Sequence, residues 1–300
     1  MKFPCSGGED GSAVPHNHRR SSATLLIMPS FPARLHVLLA REAPIGLIIR
    51  RGPSRRVCTI LWDRHTDEFT LGQWFKGRIY ERRCDLSPDG KHFIYFAMDG
   101  KWHSPSRGSW SAIARTPYLK ASAFFPKGDC WNGGGLFIDN SRYWLNGCHG
   151  NDRDETRLRR DERYRPSGGK GGECLSIYYP RLLRDGWMLN DYLSAGITDQ
   201  CDIFEKPLGN GWLLRKYAHA QVGSPPGKGC YWDEHELIRT QSDLCLKQPG
   251  GEWADLDGTR LVWGEAGRLW TGQLSDAGLA EPRLLHDLNG MTFEQQPALS

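Results

Sequence analysis

Four aspartates beside tight turns are the first residues with chemistry to offer, because paired carboxylates often perform general acid–base catalysis. Asp85 and Asp89 lie on either side of a Ser-Pro pair, and Asp255 and Asp257 are separated by one residue. An aspartate at the start of a turn also accepts hydrogen bonds from nearby backbone N–H groups and holds the bend. Because turn residues surround all four, we interpret them as turn residues and predict no catalytic residue.

Cysteine and histidine side chains are candidate zinc ligands, but zinc sites usually show pairs such as C-x₂-C or H-x₃-H. No such pair occurs, and the adjacent Cys148 and His149 would point to opposite faces of a strand. Nucleophilic catalysis needs a neighbouring base, and the sequence contains no G-x-S-x-G elbow. A Cys–His pair formed only in the folded chain stays open. The sequence predicts no metal and no cofactor. Three serines lack a recognisable partner: Ser109, Ser122 and Ser176.

Two further segments could bind phosphate. The run Gly133-Gly134-Gly135 is followed by an apolar stretch rather than by a helix with Lys and Ser/Thr, so it predicts a bulge or a hairpin entry. Residues 151–165 hold six arginines, but five acidic residues accompany them. Because phosphate binding requires an unpaired positive excess, nucleic acid is an unlikely partner and remains a third hypothesis.

Aromatic and cationic residues recur at the predicted connections between strands. Trp, Tyr and Arg are enriched at the energetic centres of protein interfaces. If these connections share one face, they form an aromatic–cationic binding surface. The alternative is that each Trp packs between strands. The set comprises Trp74, Arg78, Trp110, Arg115, Tyr118 and Trp131.

The elements that would position these residues are short strands. From Arg34 onward, apolar runs of strand length alternate with Gly, Pro and Asp, and no long stretch keeps a helical period. Twelve Trp and 35 Gly also favour strands joined by tight turns. We predict an all-β domain over residues 31–300, with a polar loop insertion at about 149–174. Residues 1–30 are interpreted as a disordered tail or a mis-assigned start. The first predicted strands are Leu35–Ala40, Ile45–Ile49, Val57–Trp62 and Glu68–Trp74.

One strand–turn–strand pattern occurs twice. Cys84–Lys91 followed by an aromatic run resembles Asp255–Arg260 followed by Leu261-Val262-Trp263, with Asp85 matching Asp255, 170 positions later. At roughly 40–45 residues per four-stranded blade, this distance is about four repeats. Weaker copies between the two bring the count to five or six units. They predict strands at Leu119–Pro126, Leu136–Ile138, Tyr143–Leu145, Leu175–Tyr179, Trp187–Leu189 and Trp212–Leu214.

The first copy resembles the blade motif of the periplasmic TolB family and its WD40-like relatives. Ser87-Pro88-Asp89-Gly90-Lys91 and the aromatic strand after it carry the resemblance. It implies a β-propeller of five or six four-stranded blades with a central channel. A β-sandwich or another multi-sheet all-β fold is the alternative. The resemblance implies little about activity, because propellers serve both as scaffolds and as enzymes.

Two functions follow from this architecture. The first is a non-enzymatic scaffold that binds another protein on one face. The alternative is an enzyme or small-molecule binder whose site lies at the central channel, where polar side chains of successive blades would converge. The channel candidates are His65, Arg82, Asp85 and Arg184.

Charge and cysteine content set the expected location. The net charge of +4 is nearly balanced, and no apolar segment is long enough to span a membrane. Nine cysteines show no even framework, and no signal-peptide core precedes them, so we predict reduced thiols in the cytoplasm. The oligomeric state is not determined by these features.

Overall fold

The structure is a computed structural model. It describes residues 31–52, 55–147, 153–170, 173–190, 201–220, 229–240, 245–247, 251–276 and 278–294. Within these ranges the chain consists mainly of β-strands, with one α-helix and one short 3₁₀ helix. The strands form five sheets, in which all neighbouring pairs but one are antiparallel. The predicted all-β character is thereby confirmed, whereas the prediction for residues 1–30 lies outside the described residues.

The first sheet follows chain order and matches the first four predicted strands. Its second strand is buried from Gly46 to Arg50, which explains why its sequence is a continuous apolar run rather than an alternating one. The strands are β1 (Arg34–Leu39), β2 (Ile45–Arg51), β3 (Arg56–Asp63) and β4 (Glu68–Lys76).

The second sheet contains the turn that the sequence predicts most directly. Gly90 has a φ of +74°, and its N–H donates to the carbonyl of Ser87. The carboxylate of Asp89 accepts bonds from the Ser87 hydroxyl and the Lys91 N–H, so this aspartate holds the turn as expected. The strands are β5 (Arg78–Ile79), β6 (Asp85–Leu86), β7 (His92–Met98), β8 (Ser109–Arg115) and β9 (Ala121–Pro126), with the 3₁₀ helix Glu81–Arg83 between β5 and β6.

The third sheet begins at the glycine run, which enters a strand as predicted. The prediction of a polar loop at about 149–174 is wrong in part, because two short strands form there. One joins the edge of β9 and the other pairs in parallel with the third sheet. Strand edges offer unpaired backbone groups, so even charged residues can add to them. The third sheet contains β10 (Gly135–Phe137), β11 (Arg142–Leu145) and β13 (Arg159–Arg160). The strand added to the edge of β9 in the second sheet is β12 (Arg153–Asp154).

The segment expected to be a strand at Leu175–Tyr179 instead belongs to the helix α1 (Leu175–Arg184). Its apolar residues recur at Leu175, Tyr178, Tyr179 and Leu182, which is the i, i+3, i+4, i+7 spacing of one helical face. The run is only ten residues long, and a period so short is easily taken for a buried strand.

The fourth and fifth sheets complete the described chain. Both copies of the repeated pattern form hairpins in the same register, since Asp85 faces Ile94 and Asp255 faces Val262. The fourth sheet contains β14 (Met188–Leu189), β15 (Cys201–Gly209), β16 (Trp212–Ala220), β17 (Tyr231–Arg239) and β18 (Cys245–Lys247). The fifth contains β19 (Gly251–Asp257), β20 (Arg260–Glu265), β21 (Arg268–Ser275) and β22 (Gly278–Asp287).

The sheets contact one another in chain order, except that the third and fourth are joined through α1. β1 and β3 contact β6 and β5, β10 contacts β6 and β7, α1 contacts β10 and β14, and β17 contacts β19. The fifth sheet in turn contacts the first, through β19 and β20 against β1. Each hydrophobic cluster is shared between neighbours: Leu47 packs with Phe93, and Leu35 packs with Val262. Cohesion between the sheets therefore comes from apolar seams.

Seven cysteines lie in the described ranges, and all seven carry free thiols. Cys148 and His149 lie outside the described residues. Within the described ranges, no three or more His, Cys, Asp or Glu side chains group as metal ligands. No helix in the same ranges has the length and apolar character needed to cross a membrane.

Candidate functional site

A cavity of about 400 Å³ lies where the first, second, fourth and fifth sheets meet α1. We call it the polar cavity. β1, β6, β15, β16, β19 and α1 all contribute side chains to it. Its charged lining residues in the described part of the chain are Arg41, Arg64, Arg181, Arg184, Lys206 and Lys216, together with Asp85, Asp185 and Asp255.

Two of the four predicted channel residues meet in this cavity as an ion pair. The guanidinium of Arg184 donates to both carboxylate oxygens of Asp85, at 2.7 and 2.9 Å. The same carboxylate accepts the backbone N–H of Phe137 at 2.7 Å. Asp85 is only 1% exposed, so its charge depends on these partners. The interpretation of Asp85 as a turn residue is therefore wrong, because its side chain points away from the turn.

Asp255 occupies the equivalent position in the fifth sheet and has an equivalent role. Its carboxylate accepts the ammonium of Lys206 at 2.6 Å and the indole N–H of Trp187 at 3.4 Å. The carboxylate also accepts the backbone N–H of Leu256 at 2.7 Å, so the expected bond to a nearby backbone group is present beside the ion pair. The repeat in the sequence already paired Asp255 with Asp85, and that match was the available signal that the two side chains serve one site.

Arg181 lies in the wall of the polar cavity and has no carboxylate partner among the described residues. Its guanidinium donates to the carbonyls of Glu81 and Cys84 and to Nε2 of His36, which lies 2.9 Å away. Burial, reinforced by the charge of Arg181, holds the pKa of His36 well below its ordinary value. His36 is consequently neutral and accepts the bond.

Lys216 is the most unusual group in the cavity. It is 2% exposed, and its ammonium lies 4.6 Å from the centre of the Trp187 ring. No hydrogen bond or ion pair joins it to a described residue within 4 Å. In β16 the buried positions are Trp212, Leu214, Lys216, Ala218 and Ala220, so a lysine stands on an otherwise apolar face. That alternation was readable from the sequence and was missed.

The charge of the cavity is unbalanced. Six basic side chains but three carboxylates line its described part. Arg184 and Lys206 are neutralised by Asp85 and Asp255, and Arg64 forms an ion pair with Asp257 at 2.8 Å, just outside the lining. Three basic groups are left without a carboxylate among the described residues: Arg41, which is exposed, and the buried Arg181 and Lys216.

A second buried ion pair braces the wall beside the cavity. Arg82, another channel candidate, donates to Asp233 at 2.6 Å, and its guanidinium lies 4.5 Å from the centre of the Tyr178 ring. The hydroxyl of Tyr178 donates to the other oxygen of Asp233 at 2.6 Å. The charges of Arg82 and Lys216 hold the pKa of Asp233 below its ordinary value despite burial, so this carboxylate is ionised.

The remaining channel candidate and turn aspartate lie elsewhere. His65 is exposed in the turn between β3 and β4, where its N–H donates to Asp63, so the prediction that it faces the channel is wrong. Asp257 bonds to Arg260 and Arg64 and braces the corner between the first and fifth sheets. Its role is structural, as expected, but it acts through ion pairs.

The six residues of the predicted aromatic–cationic surface do not lie together. Trp110 is buried and packs edge-on against Phe75, so it is a core residue. Arg115 is exposed at the opposite end of the same strand, β8, roughly 17 Å away at 3.3 Å per residue. Trp74 is half-buried and packs edge-on against Phe293. Tyr118 is half-buried after β8, and Trp131 is exposed before the glycine run.

Arg78 alone of this set lines a cationic groove. We call it the arginine groove; its volume is about 710 Å³. Five arginines line it, but Asp99 is the one acidic residue in its described lining. Two exposed aromatic side chains flank the arginines. The basic and aromatic members are Arg34, Arg51, Arg55, Arg56, Arg78, Phe31 and Trp102.

Comparisons with known proteins add no family to this description. No family model matches the chain, and no curated protein matches it. Among solved structures, hydrazine synthase from Kuenenia stuttgartiensis is similar at a TM-score of 0.27 and 9% identity, over 84% of this chain and 79% of that one. A TM-score this low does not indicate a shared fold.

Proposed function

We propose that the polar cavity binds a small anionic molecule. The observation that carries this proposal is the buried ammonium of Lys216, which faces the cavity and forms no ion pair within 4 Å in the described chain, since Asp233 and Asp255 act on it only from farther away. A buried charge is costly unless it is paired, so an anionic ligand would supply the missing partner. The volume of about 400 Å³ lies in the range of small-molecule sites.

We propose a propeller-like ring as the frame of this site, with another multi-sheet arrangement as the alternative. Two observations support the ring: successive sheets are in contact, with α1 joining the third to the fourth, and the fifth contacts the first. In such a ring the inner strands of successive sheets converge on the axis, which is where propellers hold ligands. The convergence of β1, β6 and β19 on the cavity is what this arrangement would produce.

Calorimetric titration tests the binding proposal. We would titrate the protein with acetate, succinate, 2-oxoglutarate and inorganic phosphate at constant ionic strength. At least one anion should bind with a Kd below about 1 mM. Lys216→Met keeps the length of the side chain but removes its charge, and should weaken that binding at least about tenfold.

A matched control keeps this result interpretable. Lys91→Met removes a lysine charge from a side chain that is 76% exposed, and binding should stay unchanged. Thermal unfolding would confirm that both variants fold. If none of the four anions binds, or if Lys216→Met binds as well as the wild type does, the cavity is not an anion site.

A second candidate function is the scaffold role, and the arginine groove favours it. We propose that the groove docks an acidic peptide segment of another protein, because its described lining holds five arginines and one acidic residue, and of these arginines Arg51 already pairs with Glu81 at 2.8 Å. Phe31, which is 85% exposed, offers an apolar contact beside these charges. Aromatic and arginine side chains together are typical of protein interfaces.

A labelled peptide rich in Glu with one Leu would test this role by fluorescence anisotropy. Replacing Arg55, Arg56 and Arg78 with Gln should reduce the affinity at least about tenfold, whereas Gln at the exposed Arg157 and Arg163 should not. If single-stranded RNA binds more tightly than the peptide, the partner of the groove is a nucleic acid rather than a protein.

The cytoplasmic location also stays a prediction, which thiol labelling of the protein in intact cells would check.

A further inference from the structure

The position of Lys216 allows covalent chemistry as well as charge pairing. A lysine is a nucleophile only when its amine is neutral, and it must face a space that a substrate can enter. Lys216 meets the second condition, since its side chain lines the polar cavity. Its amine also has no hydrogen bond to a described residue, so no protein group occupies its lone pair in the neutral form.

The surroundings of Lys216 favour the neutral amine. Burial lowers its pKa to about 8, while the carboxylates of Asp233 and Asp255 act in the opposite direction. Arg82 and Arg181 lower the pKa further. With this pKa about one tenth of the side chain is a neutral amine at pH 7 and about nine tenths at pH 9, so the ammonium dominates at neutral pH and the amine at alkaline pH. The other titratable groups around it are His36, Lys206 and His235.

The rest of the cavity selects what such an amine would meet. Arg41 and Arg181 lack carboxylate partners among the described residues, so a carboxylate of the substrate can pair with them. The fork of a guanidinium suits a carboxylate, whereas the lysine amine suits a carbonyl carbon. A molecule carrying both groups on neighbouring carbons is a 2-oxo acid.

We propose that Lys216 forms an imine with a 2-oxo carboxylic acid held in the polar cavity; this rests on the proposed function, anion binding in the same cavity. The amine nitrogen attacks the keto carbon, the carbonyl electron pair moves to oxygen, and one proton passes from the nitrogen to that oxygen. The resulting carbinolamine then loses its hydroxyl group together with the second nitrogen proton as water, as the nitrogen lone pair forms the C=N bond. One water leaves for each imine formed, and no oxidant or reductant is needed.

Reductive trapping tests the proposal. We would incubate the full-length protein with pyruvate and sodium borohydride, and then measure the intact mass and map the peptides. One reduced pyruvate adduct per chain is expected, located at Lys216. The yield should rise between about pH 7 and pH 9, following the amine fraction of Lys216.

Two variants and one inert ligand separate the possible failures. Lys216→Arg and Lys216→Met should both lose the adduct, since neither side chain carries an amine, and the binding of succinate, which forms no imine, is measured on the wild type alongside. An adduct on Lys206, or adducts spread over exposed lysines, would overturn the assignment. If anions bind but pyruvate leaves no adduct, the imine fails and the binding function stands. If nothing binds, both proposals fail.

Discussion

Asp85 and Asp89 lie four residues apart, but their surroundings differ completely. Asp85 is buried and pairs with Arg184 through both carboxylate oxygens, whereas Asp89 stabilises a turn at the surface. We expect Asp85→Asn to lower the free energy of unfolding by about 1.5–3 kcal/mol, because it weakens two charge-assisted hydrogen bonds of the Arg184 guanidinium, which keeps Asp185 as its other carboxylate partner at 2.9 Å. Urea denaturation, followed by far-ultraviolet circular dichroism, measures this change.

A surface ion pair provides the comparison. Lys91 pairs with Asp89 at 3.1 Å, but its side chain is largely in water. Lys91→Gln should therefore cost less than about 1 kcal/mol. Equal losses in the two variants would mean that the Asp85–Arg184 pair is no more important to the fold than an exposed pair.

At the level of elements, α1 is tied to the fourth sheet by buried phenol–carboxylate bonds. Tyr178 donates to Asp233, and Tyr179 donates to Asp202, both at 2.6 Å. Tyr178→Phe should cost about 1–3 kcal/mol, since it leaves one oxygen of a buried carboxylate short of a donor. Tyr217→Phe removes a half-buried bond to Glu236 and should cost about 1 kcal/mol or less. Unfolding midpoints in urea that shift equally would contradict this ranking.

The entry to the third sheet depends on a close approach of two backbones. Gly134 has a φ of +78°, and an added Cβ would overlap the carbonyl oxygen of Arg83. Gly134→Ala should therefore cost more than about 3 kcal/mol. Gly258 has a φ of +60° with nothing within 4 Å of an added Cβ, so Gly258→Ala should cost only about 1–2 kcal/mol. Thermal unfolding of the two variants measures the difference in stability. A similar loss of stability in both would show that the close approach of Gly134 to Arg83 adds no extra cost.

For the whole molecule, stability should depend on pH through buried histidines. Burial lowers the pKa of His235 to about 3, and its Nδ1 lies 3.0 Å from the carbonyl oxygen of Gly251. Between about pH 6.5 and pH 3 the unfolded chain binds a proton that the folded chain does not. The contribution of His235 to the free energy of unfolding should therefore fall by about 1.4 kcal/mol per pH unit as the pH decreases through this range.

Comparison with His235→Gln isolates this contribution. Glu252, whose pKa burial raises to about 8, acts in the opposite direction between about pH 4.5 and pH 8. That effect is common to both proteins and cancels in their difference. The stability advantage of the wild type over His235→Gln should shrink with falling pH. A constant difference across the range would mean that His235 does not titrate with folding.

Much of the secondary structure followed from local pattern, and three elements did not. The strands of the first sheet and the Ser87–Gly90 turn are set by residues adjacent in sequence, so a short window suffices to predict them. The helix α1 and the short strands β12 and β13 are not set in this way. α1 is stabilised by its packing on two sheets, and the two strands add to edges formed by distant residues.

The sequence by itself determined the all-β class, the main turns and the equivalence of Asp85 and Asp255, because each depends on periodicity or on local turn chemistry. The sequence also identified Asp85 and Arg184 as candidate site residues, but it did not show that they form an ion pair. Only the tertiary structure decided that Lys216 stands unpaired in a cavity, and that Trp110 is core. Burial and pairing depend on residues far apart in the chain, and the pKa of a lysine follows from what surrounds it rather than from its neighbours in sequence.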